Sequence, residues 1–175
     1  MKRTIYLLFA VMAINAASAQ KQTVTSVSNG NFLMPAIWDC TCIPVAGDNI
    51  VINHNVTLNT HFFLSGSMTI NAGGALIQDV TPRDFLFAGT TIDIDGVLMV
   101  NRLYNALGTI SNSGTLAVTQ SFYNAGIFTN RGSVGMLDSL QNEYILINET
   151  GAIINSDNFT NNDSLVNNGR LIFVN

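Results

Sequence analysis

The chain is 175 residues long, 47% apolar and only 10% charged, with a formal net charge of −4; an ordinary soluble domain carries about 25% charged residues. Asparagine alone outnumbers Asp, Glu, Lys and Arg together. This balance excludes disorder, which needs low hydrophobicity and high charge. It argues against a basic nucleic-acid binder and against a helical bundle, whose surfaces need Glu and Lys rather than Asn and Gly.

At the N-terminus, Lys2 and Arg3 precede an apolar run from Ile5 to Ile14, and Ala17-Ser18-Ala19 fits a small-residue cleavage site. Residues 1–19 are therefore expected to be a secretory signal peptide, since the run is too short to span a bilayer as a helix. Cleavage would start the chain at Gln20 and take the net charge from −4 to −6 by removing Lys2 and Arg3. No later segment reads as a transmembrane helix. The expected location is exported: periplasm, outer cell surface or extracellular space.

Residues 20–46 do not repeat and are expected to be an N-terminal capping segment, with Phe32, Ile37 and Trp38 plugging an otherwise open core end. They hold both cysteines, Cys40 and Cys42. In an oxidising compartment a disulfide is the default. A bridge two residues apart would lock one local turn and little else. Free thiols and a metal site remain alternatives, the latter needing His54 and His61, the only histidines.

From residue 47 to 175 the sequence repeats. Gly96, Gly114, Gly132, Gly151 and Gly169 are spaced by 18, 18, 19 and 18 residues, and Gly74 lies 22 before Gly96. Four residues before these glycines stand Ile70, Ile92, Ile110, Phe128, Ile147 and Leu165; two after stand Leu76, Leu98, Leu116, Val134, Ile153 and Leu171. Asn105, Asn124, Asn142 and Asn161 follow the same beat, as do Asn112, Asn130, Asn148 and Asn167. Alternating stretches such as Gly114-Thr115-Leu116-Ala117-Val118 read as strands with one buried face. Asn and Gly supply turns through their tolerance of left-handed backbone. One rung of this length cannot bury its own apolar face, but stacked rungs align each apolar column into a core. Stacked Asn side chains can bond along the column. The fold expected is all-β: a parallel β-solenoid, three-sided, of about seven rungs rising about 4.8 Å each. Right-handed coiling is expected by analogy with larger β-helices. An outer-membrane barrel needs alternating segments of roughly 9–11 residues, whereas turn signals here interrupt about every six.

The N-terminal motifs run Asn29-Gly30-Asn31-Phe32, Pro35-Ala36-Ile37-Trp38-Asp39-Cys40-Thr41-Cys42-Ile43-Pro44, Gly47-Asp48-Asn49-Ile50-Val51-Ile52 and Val56-Thr57-Leu58. This resembles the opening of many secreted β-solenoid proteins of Bacteroidota and is distantly similar to the start of the eight-glycine domain of some animal cell-surface proteins. Phe32 stands where the bacterial pattern commonly has Trp, and no sorting domain of the type IX secretion kind follows the last rung. The resemblance implies adhesion, surface structure or an accessory role beside carbohydrate-active domains. Asp138-Ser139-Leu140 and Asp163-Ser164-Leu165 resemble the Bacteroidota O-glycosylation acceptor, which makes Ser139 and Ser164 candidate glycan carriers.

Little else reads as chemistry. Asp93 and Asp95 share a strand face by alternation and could bind Ca²⁺ or form an acid/base pair, with Arg83, Arg102 and Asp84 nearest in sequence. A solvated rung edge is the plainer reading. Asp48 is expected to cap a turn. His54 and His61 read as structural or surface residues. Thr109, Thr115, Thr129 and Thr160 do not share the single register an ice-binding array would need. No phosphate loop, nucleophile elbow or dinucleotide fingerprint is present, and no cofactor is expected. Tyr104, Tyr123 and Tyr144 are spaced by 19 and 21, close to one rung, and form a candidate aromatic row for glycan. The terminal strand Arg170-Leu171-Ile172-Phe173-Val174-Asn175 is a candidate docking edge through Leu171, Phe173 and Val174, for a protein partner or another copy. The function expected is an exported, non-catalytic structural or adhesive module, a subunit of a cell-surface assembly. The alternatives are a carbohydrate-binding module and, behind it, a polysaccharide lyase or hydrolase.

Overall fold

The computed structural model describes residues 21–173; the signal-peptide segment lies outside them. The chain winds as a parallel β-solenoid of about seven turns. The first turn holds β1 (Thr23–Thr25) and β2 (Gly30–Asn31). The second holds β3 (Asn49–Ile52), β4 (Asn55–Leu58) and β5 (Phe62–Leu64), and the third β6 (Met68–Ile70), β7 (Ala75–Gln78) and β8 (Asp84–Ala88). The fourth comprises β9 (Thr91–Ile94) and β10 (Val97–Ala106), and the fifth β11 (Thr109–Asn112) and β12 (Thr115–Asn124). The sixth comprises β13 (Ile127–Asn130) and β14 (Ser133–Asn142), and the seventh β15 (Ile145–Asn148) and β16 (Ile153–Asn161). Finally, β17 (Ser164–Asn167) and β18 (Arg170–Phe173) begin an eighth.

Each rung has three sides. The first side is an eight-stranded ladder, β1-β3-β6-β9-β11-β13-β15-β17. The second stacks β2, β4 and β7 on the first halves of β10, β12, β14 and β16, and then β18. The third stacks β5 and β8 on the second halves of β10, β12, β14 and β16. A register shift between Val100 and Arg102 marks the corner between the second and third sides. Every ladder is parallel, and only the isolated bridge Ser26↔Trp38 is antiparallel among the described residues.

Inward columns build the core. The first side contributes Ile50, Met68, Ile92, Ile110, Phe128 and Leu146, all in register and all buried. The second contributes Leu76, Leu98, Leu116, Val134 and Ile154, and the third Phe62, Phe85, Leu103, Phe122 and Leu140. Two positions differ from the sequence reading. In the seventh rung Leu146 and Ile154 face inward, not Ile147 and Ile153. The extra residue of the 19-residue spacing sits in the turn at Gly151 (φ +85°), and Ala152 takes the place in line with Gly132.

The stacked glycines are also needed for a reason other than left-handed backbone. Gly96, Gly114 and Gly132 have no positive φ. A Cβ on Gly114 would collide with the Gly96 carbonyl oxygen, and one on Gly132 with that of Gly114. Close approach of successive corners is what excludes a side chain there.

The two Asn columns lie at the ends of the third and first sides. Asn105 donates to Asn124 Oδ1 (2.6 Å), Asn124 to Asn142 (2.7 Å) and Asn142 to Asn161 (2.7 Å). The second column runs from Asn112 to Asn130 (2.8 Å), Asn148 (2.9 Å) and Asn167 (2.8 Å). Each interior Nδ2 also donates to a backbone carbonyl of the next rung, as Asn124 does to Ile145 O (3.0 Å). Both columns replace apolar ones. The residues aligned before Asn112 are Ile94, Ile70 and Ile52, and those before Asn105 are Phe87 and Leu64. The upper rungs are thus held by hydrocarbon at the corners and the later ones by amides. At the junction Asn112 Oδ1 is buried without a hydrogen-bond donor, because Ile94 precedes it in the column.

The N-terminal segment both caps and joins the stack. β1 pairs with β3, and β2 with β4, so residues 23–31 form a first partial rung. Phe32, Ile37 and Trp38 then fold over its end and are buried. Trp38 meets Phe32 edge-on (5.4 Å) and donates Nε1–H to Phe32 O (2.9 Å). A buried indole N–H needs such an acceptor.

Candidate functional site

Cys40 and Cys42 are joined as a disulfide, and no free cysteine is present among the described residues. The bridge closes the turn after Trp38 and packs on the edge of the core. Asp48 plays the capping role expected of it: its Oδ2 accepts from Val45 N (2.9 Å). His54 Nδ1 lies 2.9 Å from the Ser26 carbonyl and 3.4 Å from Ser26 Oγ. A carbonyl can only accept, so Nδ1 carries the proton there. Ser26 Oγ in turn accepts from Asn53 N (2.8 Å) and His54 N (3.2 Å). The Ser–His pair is therefore a staple between the first two rungs and lacks the free imidazole nitrogen that would activate a nucleophile.

Asp93 is exposed on the outer face of β9, and Asp95 is exposed in the turn after it. Arg102 and Asp84, the neighbours in sequence, lie on the third side of the rung. Arg83 is engaged by Asp79 through Nε (2.9 Å) and Nη2 (2.7 Å). The constellation considered from sequence is thus split between two sides of the rod. No group of three or more His, Cys, Asp or Glu side chains suited to a metal occurs among the described residues. The threonines also remain scattered: Thr109 aligns with Thr91 and Ile127, Thr115 with Val97 and Ser133.

The outer face of the third side gathers the aromatic residues, in a different set from the one sequence spacing suggested. Tyr104 and Tyr123 are aligned neighbours with ring centroids 6.4 Å apart. Tyr144 is not in this row. Gln141 occupies the next position, and Tyr144 sits beyond the Asn142 corner, exposed. The row runs the other way, from Tyr104 to Leu86 and Phe63. Leu86 and Phe63 are 38% and 51% exposed, large apolar side chains facing outward where alternation would usually place polar ones. A spacing of 18 residues from Leu86 to Tyr104 was readable; the 23 from Phe63 to Leu86 was hidden by a longer turn.

Two residues earlier on the same strands runs a polar column. His61 Nδ1 accepts from Asp84 N (3.1 Å) and lies 3.6 Å from its carboxylate. Arg102 Nε lies 3.5 Å from Asp84 Oδ1, too far for a good hydrogen bond, and is buried with no acceptor. The Tyr104 hydroxyl and, after it, the Asp84 carboxylate hold Arg102 above the usual guanidinium pKa. Ser121, Ser139 and Asn158 continue the column. Ser139 is thus half-buried within β14, whereas Ser164 is exposed at the start of β17. Beside the column, Asn101 donates to Asp84 Oδ1 (3.1 Å) and its Oδ1 accepts from Thr119 (3.3 Å). The five-residue turn Asp79–Arg83 rises at this corner. Arg83 donates to Asp79 and, with Thr81 N–H, holds its carboxyl below the usual carboxylate range.

Of the proposed docking edge, Leu171 is half-buried in β18 and Phe173 is half-exposed, stacked on Phe159 at 5.9 Å. Val174 lies outside the described residues. No helix among them is long and apolar enough to cross a membrane.

Fold and columns together define a parallel β-solenoid repeat protein with Asn ladders. Comparison with protein-family models, with curated proteins and with solved structures finds no match to this chain.

Proposed function

We propose that the chain is an exported, non-catalytic structural or adhesive module, one subunit of a cell-surface assembly. The observation that supports this most is the unbroken first-side ladder from β1 to β17, with its inward positions filled by apolar or amide columns. Such a stack transmits load along its axis through parallel hydrogen bonds and leaves its outer faces to meet other molecules. The N-terminal resemblance to secreted β-solenoid proteins supports the same reading. The partner reached through Leu171, Phe173 and Val174 is a second copy or another protein of the assembly, and Ser139 and Ser164 are its glycan carriers.

Fractionation of the native source tests this reading. The expected result is a protein processed after Ala19, recovered with the envelope or medium, and cross-linking there into a defined larger species. Recovery in the cytoplasm with residues 1–19 intact contradicts it. So does turnover of a polysaccharide that disappears in an Asp93→Asn, Asp95→Asn double variant.

The aligned Tyr104–Tyr123 pair favours a second reading, a carbohydrate-binding module. Aromatic faces stack on sugar rings, and two of them one rung apart suit neighbouring sugars of a chain.

A further inference from the structure

We propose that the outer face of the third side binds one extended, uncharged polysaccharide chain lying along the solenoid axis, from Phe63 to Tyr123. This deepens the adhesive reading above and rests on it.

Three observations carry the assignment. First, Phe63, Leu86, Tyr104 and Tyr123 form an outward row on four successive rungs, about 14 Å from first to last at the usual strand spacing. A flat row with one ring-sized plate per rung suits a linear polymer with a similar repeat. A compact ligand would use only one plate.

Second, planar polar groups flank the row on one side. Asp84 offers carboxylate oxygens, and the Arg102 guanidinium is held loosely enough to have N–H groups free for a ligand. Asn101 and Gln120 lie beside them, 3.5 Å apart. Groups that accept and donate side by side match the vicinal hydroxyls of a sugar. A protein partner would instead favour an apolar centre ringed by polar residues, whereas here the apolar and polar residues run as parallel stripes.

Third, the charges decide the ligand's charge. Asp84 and Arg102 face each other and offset one another. Arg83, the other cation at this corner, is bound to Asp79. The chain as a whole is acidic, at −4. No surplus of positive charge is left on this face to hold a polyanion, so neutral glycans are selected over uronates and sulfated chains. The Asp79–Arg83 turn stands beside the polar column as a low wall, fixed by its bidentate ion pair.

The test is binding of the full chain to soluble neutral glucan, mannan, xylan and galactan, with alginate and polygalacturonate alongside, by affinity electrophoresis and titration calorimetry. Tyr104→Ala and Tyr123→Ala are each expected to weaken binding of the preferred neutral glycan about tenfold, and Phe63→Ala to weaken it for long chains more than for short ones. Arg102→Met is expected to weaken it as well. Tyr144→Ala, an exposed tyrosine outside the row, is expected to change nothing. Far-UV circular dichroism and the melting temperature confirm that each variant is folded. Three results would overturn the proposal: no binding to any neutral glycan, preference for the polyanions, or loss in Tyr144→Ala with retention in Tyr104→Ala. If the chain binds no glycan yet still assembles with its native envelope, this inference fails and the adhesive reading stands.

Discussion

Replacing Asn130 by Asp exchanges one NH₂ for one oxygen at the centre of the longer-buried ladder. The Asn130 side chain is fully buried. Its Nδ2 donates to Asn148 Oδ1 (2.9 Å) and Ile153 O (3.1 Å), while its Oδ1 accepts from Asn112 Nδ2 (2.8 Å). In the variant the bond from Asn112 persists, but an oxygen now faces two acceptors in the next rung. Each buried group left unsatisfied costs about 1–3 kcal/mol, so the loss at pH 7 is about 2–6 kcal/mol. Burial away from donors raises the new carboxyl's folded-state pKa above its unfolded value of about 3.9. A group raised in this way leaves stability intact below the unfolded pKa and removes it as pH rises through the folded one. The deficit relative to the parent is therefore greatest at neutral pH and shrinks on acidification, since a protonated carboxyl can donate once. Urea unfolding followed by far-UV circular dichroism at pH 7 and pH 4 measures both. The exposed Asn168→Asp serves as control and should stay within about 0.5 kcal/mol. A variant as stable as the parent at pH 7, or one equally destabilised at both pH values, refutes the ladder as a set of directional bonds.

Gly114→Ala places a Cβ against the Gly96 and Asp95 carbonyls and should lower stability by about 1–3 kcal/mol. Gly47→Ala, whose Cβ meets nothing within 4 Å, should leave the urea midpoint nearly unchanged. Trp38→Phe keeps the ring contact with Phe32 but removes the donor to its carbonyl; the expected loss is about 1–3 kcal/mol, read by circular dichroism. Protonation of Asp79 should loosen its turn. Because Arg83 holds that carboxyl below its usual range, the stabilising contact is present above the unfolded pKa and lost as pH falls through the folded one. Limited proteolysis beside the fully exposed Val80 should accelerate below that point, and in Asp79→Asn at neutral pH.

Much of this architecture was legible because a repeat exposes itself by spacing. The glycine beat and the two Asn series named the ladders residue by residue, and the structure pairs them in that order. Legibility failed wherever a rung changed length. One inserted residue at Gly151 moved the inward set from Ile147 and Ile153 to Leu146 and Ile154, since alternation turns every side chain over on a one-residue slip. The longer excursion through Trp38 hid the pairing of Val24 with Ile50, so the capping segment did not read as a rung. The outer aromatic row was half seen. Tyr104 and Tyr123 keep the beat, but Tyr144 is three residues past its column position at Gln141. Phe63 and Leu86 are separated from the beat by the Asp79–Arg83 turn. Asp48 was read correctly from its turn chemistry, which depends on neighbours in sequence alone.

Parallel stacking in register is the claim on which everything else depends, and cross-linking tests it most directly. Thr115 and Ser133 are exposed outward neighbours on successive rungs, 18 residues apart and aligned. Parallel strands lie about 4.8 Å apart, within the reach of a disulfide between Cα atoms. In a Cys40→Ser, Cys42→Ser background, the pair Thr115→Cys with Ser133→Cys should oxidise fully to an intramolecular bridge. Thr115→Cys with Ser139→Cys, placed on different sides of the rung, should remain as thiols. The reverse outcome, or no bridge in either pair, contradicts the stack.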